Sequence, residues 1–250
     1  MSSINGISNV DYGKIASGKR INSAADDASG LTIANKMESQ ATGLTVGEQN
    51  AKEAESALNI ADGALGGIND YLQRIKELSV KASNGLNTSS DLAAIQKEID
   101  GALKGIEDLA AGTEYNTKKL LDGSMASLDV AANPDGTGMK IQMENSTLET
   151  LGIAGYDVTK DFDMNAIDRA IEKVNESRTS LGAGVNALSY TQRYNSNASL
   201  QQMNAKSGLE DLDMAKAISE QRKNEALEQY KIMMQKKEAE QESLITKMFE

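Results

Sequence analysis

Leu58-Asn59-Ile60-Ala61-Asp62-Gly63-Ala64-Leu65-Gly66-Gly67-Ile68-Asn69-Asp70-Tyr71-Leu72-Gln73-Arg74-Ile75 repeats its apolar residues in steps of seven. The rhythm extends outward in both directions. Leu44, Ala51, Leu58, Leu65 and Leu72 form one row, and Ala54, Ala61, Ile68, Ile75 and Ala82 form a second. Together they make the a/d seam of a long helix packed against others, over Thr42 to Ala82. At 1.5 Å per residue that helix is roughly 60 Å long, too long for the isolated helix of a compact domain. Alanines in the seam, with Gly47 opening the second row, let partners approach closely. Asn84-Gly85 reads as the stop, glycine supplying a left-handed C-cap.

The next segment is expected to be helical from Ser89 or Ser90, either of which could cap it. Ile95, Ile99, Ala102, Ile106 and Leu109 continue the seam, and the short connector predicts antiparallel neighbours. The period then changes. Asn133-Pro134-Asp135-Gly136-Thr137-Gly138 is a turn signal joining strands at Leu128–Ala131 and Met139–Met143. Ser146–Lys160 reads as an irregular loop. Helical pattern returns after a cap at Asp163, with Ala170, Val174, Leu181, Leu188 and Ala198 along a looser seam. From Met214 the chain is helical in propensity and densely charged, with apolar clusters at Leu227, Tyr230, Met233 and Met234 and at Leu244, Ile245, Met248 and Phe249.

The fold class expected is therefore mainly α: an elongated antiparallel coiled-coil rod from the N- and C-terminal segments, with a small β-hairpin region in the middle. Five parts are expected: an arm and connector (1–30), N-terminal rod helices (31–122), the hairpin and loop region (123–162), a C-terminal rod helix (163–212) and a C-terminal inner-core helix (213–250).

Composition narrows the function. The 250 residues carry a net charge of −11 and no Cys, His or Trp. The acidic balance argues against a nucleic-acid partner. Without His or Cys the usual general bases, thiolate nucleophiles and zinc ligands are missing, so no catalytic, metal-binding or cofactor-binding residues are assigned. No apolar run reaches the roughly 20 residues of a membrane span. Met1–Ser23 lacks the apolar stretch of a cleaved signal, which leaves a cytosolic protein or one exported without cleavage.

Ser17-Gly18-Lys19-Arg20-Ile21-Asn22-Ser23-Ala24-Ala25-Asp26-Asp27-Ala28-Ser29-Gly30-Leu31 combines a basic pair, small residues and two adjacent carboxylates. By itself it reads as a solvated connector before a helix. It also resembles the S-G-x-R-I-N-S-A-x-D-D-A-x-G-L signature of bacterial flagellins. Leu72–Gly85, Ile95–Ile99, Tyr115–Leu121, Arg178–Ala183 and Ser207–Met214 are similar to further flagellin blocks in the same order. The resemblance implies a non-enzymatic subunit that self-assembles into an extracellular motility filament and is exported without a cleaved signal peptide. Large outer domains are expected to be missing, and the arm before the signature to be short. The charged block Gln235–Glu242 departs from the weakly charged family helix. The alternative is a secreted or chaperone-bound binding module that keeps the rod without polymerising efficiently.

The resemblance also implies partners. Lys19, Arg20, Ile21, Asn22, Asp26 and Asp27 are candidate subunit contacts; the two aspartates are also weighed as a cation site, with pairing to Lys19 or Arg20 favoured. Gln73, Arg74, Leu78 and Glu98 fall on blocks that flagellin-sensing innate immune receptors contact, although composition and spacing alone make them seam and solvated residues. Leu227, Tyr230, Met234, Leu244, Ile245, Met248 and Phe249 are candidate contacts for an export chaperone, or interior contacts of a filament.

Overall fold

The computed structural model describes residues 12–248, with side chains from 13 to 244. The elements run α1 (Tyr12–Ser17), α2 (Ala24–Ala82), α3 (Ser89–Gly112), β1 (Glu114–Tyr115), β2 (Lys118–Lys119), β3 (Ser127–Ala131), β4 (Gly138–Gln142), α4 (Leu148–Leu151), α5 (Met164–Glu210) and α6 (Met214–Met248). Two compact units result. One is residues 40–200; the other is made by the described parts of 1–39 and 201–250.

In the 40–200 unit the heptad seam of α2 is buried along its whole length, from Leu44 to Ala82. Its partners are the apolar faces of α3 (Ile95, Ile99, Ala102, Ile106) and α5 (Ile167, Ala170, Val174, Leu181, Leu188), which join one hydrophobic cluster. Polar pairs flank the α2–α5 seam. The Thr45 and Ser199 hydroxyls lie 3.0 Å apart, Gln192 Nε2 donates to Glu55 at 2.5 Å, Arg178 Nε donates to Asp62 at 2.8 Å, and Lys76 Nζ meets Asp168 at 2.5 Å. Thr45 and Lys76 are 31 residues apart on α2, and their partners Ser199 and Asp168 are 31 apart on α5. The two helices thus run antiparallel without slipping in register.

The seam expected from Thr42 is present, but the helix starts earlier: a short turn from Ala24 breaks at Asp27 (φ −163°, ψ 96°), and the long helix runs on from there. Its first turns bury glycine and alanine (Gly30, Ala34, Ala41), which carry little hydrophobic signal. The stop at Asn84-Gly85 also works differently. Gly85 is not left-handed; instead Asn87 Nδ2 donates to the carbonyls of Lys81 (2.7 Å) and Ala82 (3.1 Å), satisfying two of the orphan acceptors of the helix end. Thr88, rather than either serine, caps α3 and forms a capping box with Asp91.

The middle hairpin is present as β3 paired antiparallel with β4, Leu128 opposite Ile141 and Val130 opposite Met139. Val130 and Ile141 point into the core. Two elements had no expectation. The turn α4 interrupts the loop 146–160, and β1–β2 pair across Asn116 and Thr117, both at positive φ (48° and 65°). Tyr156 anchors the loop after α4: its hydroxyl donates to buried Ser79 at 2.9 Å, and burial pushes its pKa up. Asp163 caps α5, accepting from Asn165 N at 3.0 Å.

Candidate functional site

The signature segment lies in the second unit, where it pairs with the end of α5. Both segments leave the helical conformation here, so their backbone groups need new partners. Arg20 N donates to Glu210 O at 2.7 Å and Leu212 N donates to Gly18 O at 2.9 Å, a short antiparallel bridge centred on Lys19 and Asp211. Gly18 makes the turn at φ +69°, a conformation that costs glycine least. Ile21 is buried beneath.

Side chains reinforce the bridge. Arg20 Nη2 donates to Leu209 O at 2.5 Å. Lys19 Nζ reaches Glu210 Oε1 at 2.6 Å, while Lys206 Nζ lies 3.5 Å from the other oxygen and 2.9 Å from Glu38. Glu210 is only 5% exposed, so its charge is tolerable because two ammonium groups flank it. The bond from Lys206 holds the Glu38 carboxyl below its usual range.

The adjacent aspartates serve the start of α2. Asp26 Oδ2 accepts from Asn22 N (3.1 Å) and Ser23 N (3.0 Å), the return half of a capping box with Ser23 before the helix. Lys14 binds its other oxygen at 2.7 Å, and that bond together with the backbone N–H groups lowers the carboxyl to about 2. Asp27 folds over Gly30 and accepts its N–H at 2.8 Å. A Cβ on Gly30 would lie 2.7 Å from Ile21 Cδ1, so the Ile21 and Asp27 side chains would have to shift to admit one. Asn22 Oδ1 accepts from Ser17 Oγ at 2.9 Å. All six signature residues are therefore engaged within the chain, with no group of three metal-ligating side chains among the described residues. Ser207–Met214 is similar to a family block, but no residue in it marks it as the partner of the signature segment. Glu38 and Lys206 carried no signal.

On the 40–200 unit, Arg74 spans α2 and α3. Its Nε donates to Glu98 Oε1 at 2.9 Å, its Nη2 reaches the same oxygen, and its Nη1 donates to Glu77 at 2.9 Å. Gln73, Arg74 and Glu98 are exposed; Leu78 is buried beneath them. On α6, Leu227, Tyr230, Met234 and Leu244 are exposed. Phe249 and the side chains of Ile245 and Met248 lie outside the described residues.

Residues 8–126 match the model of the bacterial flagellin N-terminal helical region, and residues 164–246 match that of the flagellin C-terminal helical region. The chain belongs to the bacterial flagellin family. Among its relatives, the flagellin of Halalkalibacterium halodurans is 36% identical over 215 residues, covering 83% of this chain and 79% of that one. The flagellin of Bacillus subtilis is 33% identical, covering 92% and 88%. The crystal structure of Bacillus cereus flagellin superposes with a TM-score of 0.53 at 25% identity, over 59% of this chain and 88% of that one. A putative flagellar hook-associated protein from Vibrio parahaemolyticus shares the fold, with a TM-score of 0.60 at 16% identity over 74% of this chain and 100% of that one. This flagellin is accordingly a structural protein, a flagellar filament subunit rather than an enzyme. The clasp between residues 18–22 and 209–212 is a structural joint in that sense, tying the N-terminal family region to the C-terminal one.

Proposed function

We propose that this flagellin polymerises with copies of itself into an extracellular motility filament, and that an export chaperone covers it beforehand. The observation that carries this reading is α6, a 35-residue helix that leaves Leu227, Tyr230, Met233, Met234 and Leu244 in solvent. Exposed apolar surface of that extent favours a covering partner. A second copy covers it in the filament; a chaperone groove covers it before export. Seeded polymerisation followed by electron microscopy tests the reading. Absence of filaments would favour a flagellin-like binding module that does not polymerise, a reading supported by the dense charge of Gln235–Glu242.

We also propose that Gln73, Arg74 and Glu98 form a face for flagellin-sensing innate immune receptors, with Leu78 holding the helices beneath. The Glu98 and Glu77 bonds, which raise the Arg74 pKa, pre-orient a multi-donor guanidinium of the kind common at binding hot spots. Arg74→Ala should weaken receptor binding; unchanged affinity rejects the assignment.

A further inference from the structure

The sequence holds 11 Met and no Cys, so a peroxide meets no thiolate first and the thioethers are its sulfur targets. Their placement divides them. In the 40–200 unit Met143 is buried in the hydrophobic cluster, and Met125 and Met139 pack against it. In the other unit Met203 and Met214 are exposed, and on α6 Met233 and Met234 are 61% and 41% exposed. An oxidant must reach the sulfur lone pair, so the core thioethers wait for local opening of the fold while the exposed ones do not.

Position on α6 sets Met233 and Met234 apart from the other exposed pair. Tyr230 precedes them by three and four residues, and Leu227 precedes Met234 by seven, so all four side chains share one side of the helix. That side is the apolar surface whose covering by a second copy is proposed above. The two thioethers are uncharged and polarisable, suited to packing in an interface. A sulfoxide in their place is polar, and burying it without a hydrogen-bond partner is unfavourable. Neither side chain belongs to the hydrophobic core, so the change acts on the surface and leaves the fold standing.

We propose that Met233 and Met234 form an oxidation switch: hydrogen peroxide converts both to methionine sulfoxide, and the modified α6 face associates less well with a second copy. In each step a sulfur lone pair attacks one peroxide oxygen, an S–O bond forms as the O–O bond breaks, and proton transfer releases water. Sulfur loses two electrons and the peroxide gains them. Methionine sulfoxide reductases run the change backwards, so the switch is reversible. The inference rests on the self-assembly proposed above and names a control on that same surface.

Full-length protein treated with limiting hydrogen peroxide and mapped by peptide mass spectrometry tests the site. Met233 and Met234 should carry sulfoxide before Met139 and Met143 do; oxidation of the core pair first would overturn the assignment. Seeded polymerisation of oxidised and untreated protein, with circular dichroism confirming that the helices persist, tests the effect. The concentration needed for assembly should rise by about tenfold or more, and reductase treatment should bring it back. Unchanged assembly by protein carrying both sulfoxides would overturn the switch. The Met233→Leu/Met234→Leu variant keeps the face apolar without sulfur, and its assembly should withstand the same peroxide dose. An equal loss in that variant would place the effect at other methionines and overturn the proposal. Untreated protein that forms no filaments sinks the filament reading, and the comparison then passes to dimerisation measured by sedimentation. Weaker dimerisation after oxidation would uphold the switch there; no association at all would overturn both.

Discussion

Gly47 on α2 lies against the carbonyl of Ala132, the residue that follows β3. The same oxygen accepts a 2.7 Å hydrogen bond from the Nδ2 of Asn195 on α5. Three parts of the chain converge on one atom. No side chain fits at position 47, because a Cβ there would also sit 2.9 Å from the Asn195 amide. Gly47→Ala should therefore push the hairpin off the helix pair and cost about 1–3 kcal/mol, the range for overpacking a tight core. A shift in denaturant midpoint at unchanged slope would register it; an unchanged midpoint would refute the close approach.

Asn195 is fully buried, and its Oδ1 has no hydrogen-bond partner among the described residues, so only the amide nitrogen contributes. Asn195→Ala leaves the Ala132 carbonyl unpaired and should destabilise by about 1–3 kcal/mol. Because Gly47 and Asn195 share that carbonyl, the double variant should lose less than the two single losses combined. Strict additivity in the cycle would show the two sites to be independent.

The β1–β2 turn holds Thr117 at φ 65°, a conformation costly for a β-branched residue and free for glycine. Thr117→Gly removes that strain but adds freedom to the unfolded chain. The net gain expected is at most about 1 kcal/mol, read as a small rise in melting temperature. A fall would mean that the Thr117 hydroxyl, which donates to Asn116 O at 2.6 Å, outweighs the strain.

Asp26 should respond to acid. Its folded carboxyl is lowered from 3.8 to about 2, chiefly by the bond from Lys14. A depressed acid stabilises the fold above its unfolded pKa and loses that contribution as pH falls through its folded one. The Asn22 and Ser23 amides should thus exchange faster with solvent as pH drops from 3.8 towards 2, once intrinsic exchange is corrected for. An Asp26 carboxyl that titrates near 3.8 by NMR would contradict the Lys14 contact.

The α2 seam was legible because its rows are leucine, isoleucine and alanine in unbroken sevens. On α5 the same spacing continues through Ser177, Gly184 and Asn195. Ser177 satisfies its hydroxyl on Lys173 O at 2.9 Å, and Gly184 lets Leu58 and Ile141 approach, so polar and small residues take seam places that a hydrophobic pattern cannot reveal. The β3–β4 hairpin announced itself through Pro134 and Gly136, whereas β1–β2 turns on Asn116-Thr117, which lacks the usual glycine. At the clasp both the signature and the Ser207–Met214 block stood out, yet nothing in the sequence paired them. Backbone carbonyls at Leu209 and Glu210 have no sequence signature, and pairing across nearly two hundred residues leaves no periodicity to read.

The equal spacing of the α2 and α5 partners restricts how such a protein can change length. One residue inserted into α2 alone turns everything beyond it by about 100° and carries Lys76 away from Asp168. Seven residues turn it by only about 20° and return the seam to nearly the same face. Length changes along this pair are then viable in blocks of seven, made in both helices at the same level. Duplicating one heptad in α2 and its counterpart in α5 should give a longer folded protein, whereas a single-helix insertion should not.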